Sequence, residues 1–307
     1  MRTAIALLAI GFVACNGDDD TDTDIDTEVD TGTETPEETT ARMFAELVTT
    51  TDAPTGDGSC YTPGEAWNTQ VADPLLQADE TRGVVIADFQ SGGPVAGATL
   101  SVFEGDDVTA TADTIIVADG DGEAEITAPS CTPIGVKAVA TDTKDTYQSH
   151  LVFEPLAEGD GDVINSVSNA TYTLIPSVLG VSVDEDKSVV AGAVYDCNGD
   201  TIQNAQIVVR DADGNIPGSL VVNYFGSGGL PSRDQEASNA DGLWVAMNVP
   251  AGSWTAEAYV SDGAGGHELI GATELETFAD SINIASIHTG FGDGVALPAS
   301  CVAVEVE

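Results

Sequence analysis

From about residue 81 onward, short runs rich in Val, Ile, Thr and Ala alternate with Gly, Asp, Asn and Pro. Segments such as "LWVAMNV" and "WTAEAYV" put apolar and polar side chains on opposite faces of a period-two strand. Few stretches sustain a helical period. The chain therefore reads as all-β, with a turn roughly every ten residues. "MFAELV" (43–48) predicts one short helical turn, and the alternation places Trp244 and Trp254 in cores.

The pattern occurs twice. "RGVVIADFQSGGPVAGATLSVF" (82–103) and "AGAVYDCNGDTIQNAQIVVR" (191–210) share a glycine, an apolar strand, a turn and a second strand beginning near Ala98 or Ala205. Asp121-Gly122 aligns with Asp241-Gly242, and Ile134 with Trp254, at one constant offset. "DVIN" (162–165) echoes "DSIN" (280–283). Landmarks kept in order over three blocks predict two tandem β-sandwich domains, at about 58–177 and 187–305. The second carries an extra Gly-rich insertion, "YFGSGGLPSR" (224–233).

In the second copy, Gly192-Ala193-Val194, Ala205-Gln206-Ile207-Val208, Asp241-Gly242-Leu243-Trp244 and Pro250-Ala251-Gly252-Ser253-Trp254 fall in sequence. This series resembles the carboxypeptidase regulatory-like domains, small transthyretin-like or Ig-like β-sandwiches. The first copy matches through Gly83-Val84-Val85, Gly97-Ala98-Thr99-Leu100 and Asp121-Gly122. It has Ala124 in place of the aromatic, and Ser130-Cys131-Thr132 in place of Pro-x-Gly. The resemblance implies a fold and leaves the function open. It does not imply a peptidase, because in those enzymes the zinc site sits in a separate catalytic domain.

Arg2 precedes an apolar stretch from Ala4 to Ala14, the length of a signal-peptide core and too short to cross a bilayer. Phe12-Val13-Ala14 before Cys15 resembles a bacterial lipobox, with Cys15 as the lipidated residue; an ordinary secretory signal is the alternative. Asn16 after the cysteine is similar to an outer-membrane sorting address. Residues 16–40 hold no Lys or Arg and alternate acid with threonine, a composition that cannot bury enough surface to order itself. Residues 15–57 are therefore expected to be a lipid-anchored, extended tether after a signal peptide at 1–14. The chain is placed in the cell envelope, at the outer membrane and surface-exposed.

The 52 acidic and 8 basic residues give a formal net charge of −44. Nucleic acid is thereby excluded as a partner, since phosphate binding needs clustered cations. Membrane attachment must come from the lipid. The four remaining cysteines, Cys60, Cys131, Cys197 and Cys301, suit two disulfides in an exported chain and allow three pairings. Cys60–Cys131 and Cys197–Cys301 are favoured, because each pair then falls within one domain.

No catalytic constellation stands out. His150, His267 and His288 are the only histidines, and none lies in a nucleophile elbow, a zincin helix or a phosphate loop. No cofactor or metal site is expected. Calcium is the one alternative, at the turns "ADGDGE" (118–123), "DCNGD" (196–200) and "RDADGN" (210–215), although turn chemistry alone accounts for those residues. The function expected is non-catalytic: a surface lipoprotein whose modules have a structural role or bind an unknown protein, or, alternatively, bind a glycan stacked on Trp67, Tyr224 and Phe225.

Overall fold

The computed structural model describes residues 47–50, 52–155 and 162–303. Cys15 and most of the expected tether lie outside them, as does most of the "MFAELV" segment. The described residues form one compact unit.

The first half supplies β1 (Asp79–Asp88), β2 (Thr99–Glu104), β3 (Thr114–Val117), β4 (Glu123–Pro129), β5 (Pro133–Val139), β6 (Thr143–Val152) and β7 (Asp162–Ser168). β1 pairs antiparallel with β4 and parallel with β7, while β2 lies between β3 and β5, and β5 pairs β6. The two layers enclose Val84, Ile86, Leu100, Ile126, Ile134, Val136 and Ile164.

The second half repeats this plan with β8 (Lys187–Tyr195), β9 (Gln206–Arg210), β10 (Val221–Phe225), β11 (Pro231–Ser232), β12 (Leu243–Pro250), β13 (Gly252–Ser261), β14 (His267–Thr277), β15 (Ser281–Ile284) and β16 (Ile287–His288). β8 pairs antiparallel with β12 and parallel with β15 and β16; β13 lies between β9 and β14. Trp244 fills the core with Val194, Ile207, Val209 and Ile287. Trp254 packs at its margin and donates its indole N–H to the Pro250 carbonyl at 2.7 Å.

Backbone bonds fix how the copies correspond. Ile86 N–H bonds the Gly122 carbonyl, and Val194 N–H bonds that of Gly242. Gly122 and Gly242 both have positive φ, 74° and 67°, and a Cβ on either would press on the opposing carbonyl. Only glycine suits that turn. Ile86 thus matches Val194, and Val84 matches Gly192. Aligning Gly83 with Gly192 is one residue out. The "DVIN" and "DSIN" echo also fails in register. Ile164 sits beside Ile86, whereas the residue beside Val194 is Ile287, not Ile282.

Three features were not legible as such. An α-helix, α1 (Asn169–Leu179), follows β7, capped by Ser168 accepting the Thr171 N–H and closed by Gly180 in the left-handed conformation. Its Leu179, with Tyr172 and Ile175, packs on Val189, Val245 and Met247 of the second half. The Gly-rich insertion forms β10 and β11, extending the β12 sheet. Most consequentially, β15 pairs on its other side with β6, in parallel. One layer therefore runs through both halves, in the order β12-β8-β15-β6-β5-β2-β3.

The last stretch of the expected tether is seated on the second half. Thr55 N–H bonds the Gln203 carbonyl, Asn204 donates to the Ala53 carbonyl, and Val48 N–H and C=O both bond the Gln206 amide. Polar side chains capture this backbone where apolar content could not. Among the described residues, no helix is long and apolar enough to cross a membrane.

Candidate functional site

The strap at 52–61 ends at a disulfide that runs against expectation. Cys60 pairs with Cys197 and Cys131 with Cys301, not Cys60 with Cys131 and Cys197 with Cys301. The reason is the strap: Asp57 N–H bonds Asp196, and Cys197 N–H bonds the Asp57 carbonyl, which delivers Cys60 to the β8 turn. Cys131, at the β4–β5 turn, is fully buried against the chain's last described segment, where Asp73 N–H bonds the Cys301 carbonyl and Ala72 bridges Val302.

Two of the three residues offered for glycan stacking are corrected. Tyr224 is buried in the second core, and its hydroxyl accepts the Ile207 N–H at 2.7 Å, which ties β10 to β9. Burial pushes its pKa above the usual tyrosine value. Phe225 is 2% exposed and meets Phe89 edge-on, with centroids 6.1 Å apart. The insertion reads as a loop in sequence, but as β10 its alternation is buried on both faces. Trp67 is half-buried and stacks on Tyr61, with centroids 5.0 Å apart. Its indole occupies the space above Gly292, where a Cβ would collide with it. Beside it, Asn68, Gln70, Phe291, Asp293 and Leu297 line an open cleft of about 210 Å³.

The turns weighed for calcium use their carboxylates on themselves. Asp196 Oδ1 accepts the Asn198 and Asp200 N–H groups, each at 2.9 Å, and Asp211 Oδ1 accepts those of Asp213 and Asn215 at 3.0 and 2.7 Å. Asp119 Oδ1 does the same for Asp121 and Glu123. These are Asx turns. Among the described residues, no three His, Cys, Asp or Glu side chains converge as metal ligands.

The chemically richest point lies where the halves meet, and the sequence pointed to it only through a rare residue. His150, on β6, has Nδ1 2.5 Å from Asp106 Oδ2 and Nε2 2.9 Å from the Glu274 carbonyl of β14. Nε2 is hydrogen-bonded to the carbonyl and Nδ1 makes a close charge contact without hydrogen-bond geometry, a setting that favours the imidazolium form. Burial opposes that charge, but Asp106 foremost, then the Glu274 carbonyl and Asp293, hold the pKa above its usual value. His150 and Asp106 both adopt left-handed φ, 61° and 68°. His288 sits nearby, its ring stacked on Tyr195. Desolvation first, and then the His150 charge, push its pKa down to about 4.

The two histidines respond oppositely to pH. The His150 contribution is whole below the unfolded value near 6.5 and fades as pH rises through the raised folded value. His288 behaves the other way. Between pH 6.5 and about 4 the unfolded chain binds its proton and the folded chain does not, so acidification destabilises the fold. A shift of that size corresponds to about 3 kcal/mol. Urea midpoints at pH 7 and 4.5 should therefore drop by about 2–3 kcal/mol more in the native chain than in His288→Phe, which keeps the stacking. Equal drops would contradict this account of His288. Neither histidine reaches a nucleophile through any of these bonds; through its side chain His150 links Asp106 to the β14 backbone.

No family model matches the chain, and no curated protein does. Solved structures similar to it at low level include three bacterial proteins. The TIE protein of Bacillus anthracis is 11% identical, over 68% of this chain and 33% of its own, with a TM-score of 0.22. The chain thus spans about a third of that protein's length. The shaft pilin SpaA of Lactobacillus rhamnosus GG is 10% identical, over 71% of this chain and 100% of its own, with a TM-score of 0.23. BcpA, the major pilin subunit of Bacillus cereus, is 8% identical, over 69% and 99%, with a TM-score of 0.24. Likeness at this level assigns neither a family nor an activity to the chain, whose β-sandwich character rests on its own strands.

Proposed function

We propose that the chain is a non-catalytic structural component of the cell envelope, anchored through a lipid on Cys15, with both sandwiches acting as one body. The observation that carries this reading is the joint between the halves. β6 and β15 pair in parallel, and the strap that would lead to the anchor is itself bonded by Cys60–Cys197 to the second half. A chain built to bend or to close on a ligand between modules would leave such a joint free. The seated strap also means that a pull on the tether enters the second sandwich directly. The slots filled along β8, β9, β12 and β13 support a carboxypeptidase regulatory-like ancestry for that half. The glycan reading retains Trp67 alone.

The anchor is tested by metabolic labelling with a palmitate analogue in a bacterium that processes lipoproteins. The native chain should label and fractionate with membranes; Cys15→Ala should lose the label and leave the membrane fraction. An unlabelled native chain, or a variant equally membrane-bound, would overturn the lipid anchor and leave secretion as the reading.

A further inference from the structure

β3 ends the long sheet and, among the described residues, pairs with β2 alone. Ala118 N–H bonds the Ala98 carbonyl in the same register as the β2–β3 pairs. By antiparallel alternation, Thr114 and Ile116 then turn their N–H and C=O groups toward β2, and Ile115 and Val117 turn theirs to the open side. The side chains follow a second alternation. Ile116 packs against the first core, while Ile115 and Val117 are each 66% exposed. Edge strands are ordinarily blunted by shortness, an inward charge, a proline or a bulge; β3 is short, at four residues, but its sequence TIIV carries no charge and no proline.

Charge says what fits there. Between Arg82 and Lys137 the sequence holds no basic residue. Glu104, Asp113, Asp119 and Glu123 around β3 are all exposed. A second copy of this chain would bring the same anions to the same edge. We propose that β3 is a docking edge for an extended, basic partner strand: a peptide segment with apolar residues at alternate positions, interleaved with lysine or arginine. Its backbone would complete the free N–H and C=O groups of Ile115 and Val117. Its apolar side chains would cover those two residues, and its cations would meet the flanking carboxylates.

The test titrates the full chain with a short peptide of alternating valine and lysine, with parallel peptides of valine and glutamate and of glycine and lysine. Amide exchange is read residue by residue. The valine–lysine peptide should bind at least about tenfold more tightly than either control and should slow exchange at Ile115 and Val117. Ile115→Pro removes only an outward N–H, which an edge strand tolerates, and should abolish docking while Ile116 keeps its protection. Val117→Lys should weaken docking at least about tenfold without touching the backbone. Equal binding by the glycine–lysine peptide would reduce the effect to charge alone and overturn the proposal. Unchanged exchange at Ile115 and Val117 would overturn it as well. Protection of those amides on concentrating the chain by itself would show a second copy to be the occupant and overturn the proposal in its stated form.

Discussion

The double substitution Cys131→Ser/Cys301→Ser should cost about 2–5 kcal/mol of stability while leaving no unpaired thiol behind. Both sulfurs are fully buried, and the bridge spans 170 residues of sequence. A chain-entropy treatment of so long a loop gives about 5 kcal/mol, from freedom the cross-link removes in the unfolded chain. The bridge has a local effect too. It holds the β4–β5 turn against the chain end, where Ser130 N–H bonds the Ala78 carbonyl and Ala303 N–H bonds that of Val71. Urea unfolding should therefore shift as a whole, and the amides of Asp73, Ser130 and Ala303 should lose protection first. A midpoint unchanged to within about half a kcal/mol would mean that packing alone holds the seam, and the brace would drop out of the account.

The second large effect is expected at Gly192, whose φ is not positive and whose constraint is space. A Cβ there would overlap the Ala285 carbonyl oxygen, lie 2.7 Å from its carbon and reach the Trp244 indole at 3.3 Å. Both obstacles come from the neighbouring strands. Ala285 crosses between β15 and β16 with its N–H bonded to the Ala191 carbonyl, and Trp244 is the cross-strand partner of Gly192. The first half solves the same position in reverse: Val84 pairs with Ala124 across β1 and β4. Val and Ala in one copy become Gly and Trp in the other: the larger side chain sits on β1 in the first half and on β12 in the second. Gly192→Ala should cost upwards of about 3 kcal/mol, the upper range of overpacking, because backbone and not a flexible side chain must move. Trp244→Ala should cost about 3–5 kcal/mol through the cavity it leaves. Gly83→Ala meets nothing within 4 Å and should be nearly silent. The comparison is made by urea midpoints. Similar costs for Gly192→Ala and Gly83→Ala would contradict the match of Val84, not Gly83, to Gly192.

That pair also shows how far the sequence could be read. Period-two alternation and the Asp-Gly turns located the strands, since both follow from local geometry, and Asp121-Gly122 and Asp241-Gly242 prove equivalent to the residue. The alignment slips by one at Gly83 and Gly192 because a glycine looks the same whether it sits at an exposed strand position or makes room for tryptophan. In sequence Tyr224 and Phe225 read as loop residues because the glycines after them are conspicuous; that they lie in a strand buried on both faces depends on β12 and α1, which are distant in sequence. The cysteine pairing was lost for a related reason. Proximity along the chain favoured pairs within each half, while a few polar bonds from Asp57, Thr55 and Asn204 carry the strap across to the second. Helix α1 had its signals, Ser168 before it and Gly180 after, but Pro176 within it and a threonine-rich start hid the period. His150 could be singled out as one of three histidines, yet its partners, Asp106 and Glu274, are fixed only by the meeting of the halves.

The central claim is that the two sandwiches are braced into one body and cannot swing as separate modules. Non-reducing proteolysis and mass spectrometry of the chain, purified from an oxidising envelope with free thiols blocked, tests it most directly. The expected result is one peptide linking Cys60 to Cys197 and another linking Cys131 to Cys301. Peptides linking Cys60 to Cys131 and Cys197 to Cys301 would contradict it, because each half would then be closed on itself, with the strap free to leave the second sandwich.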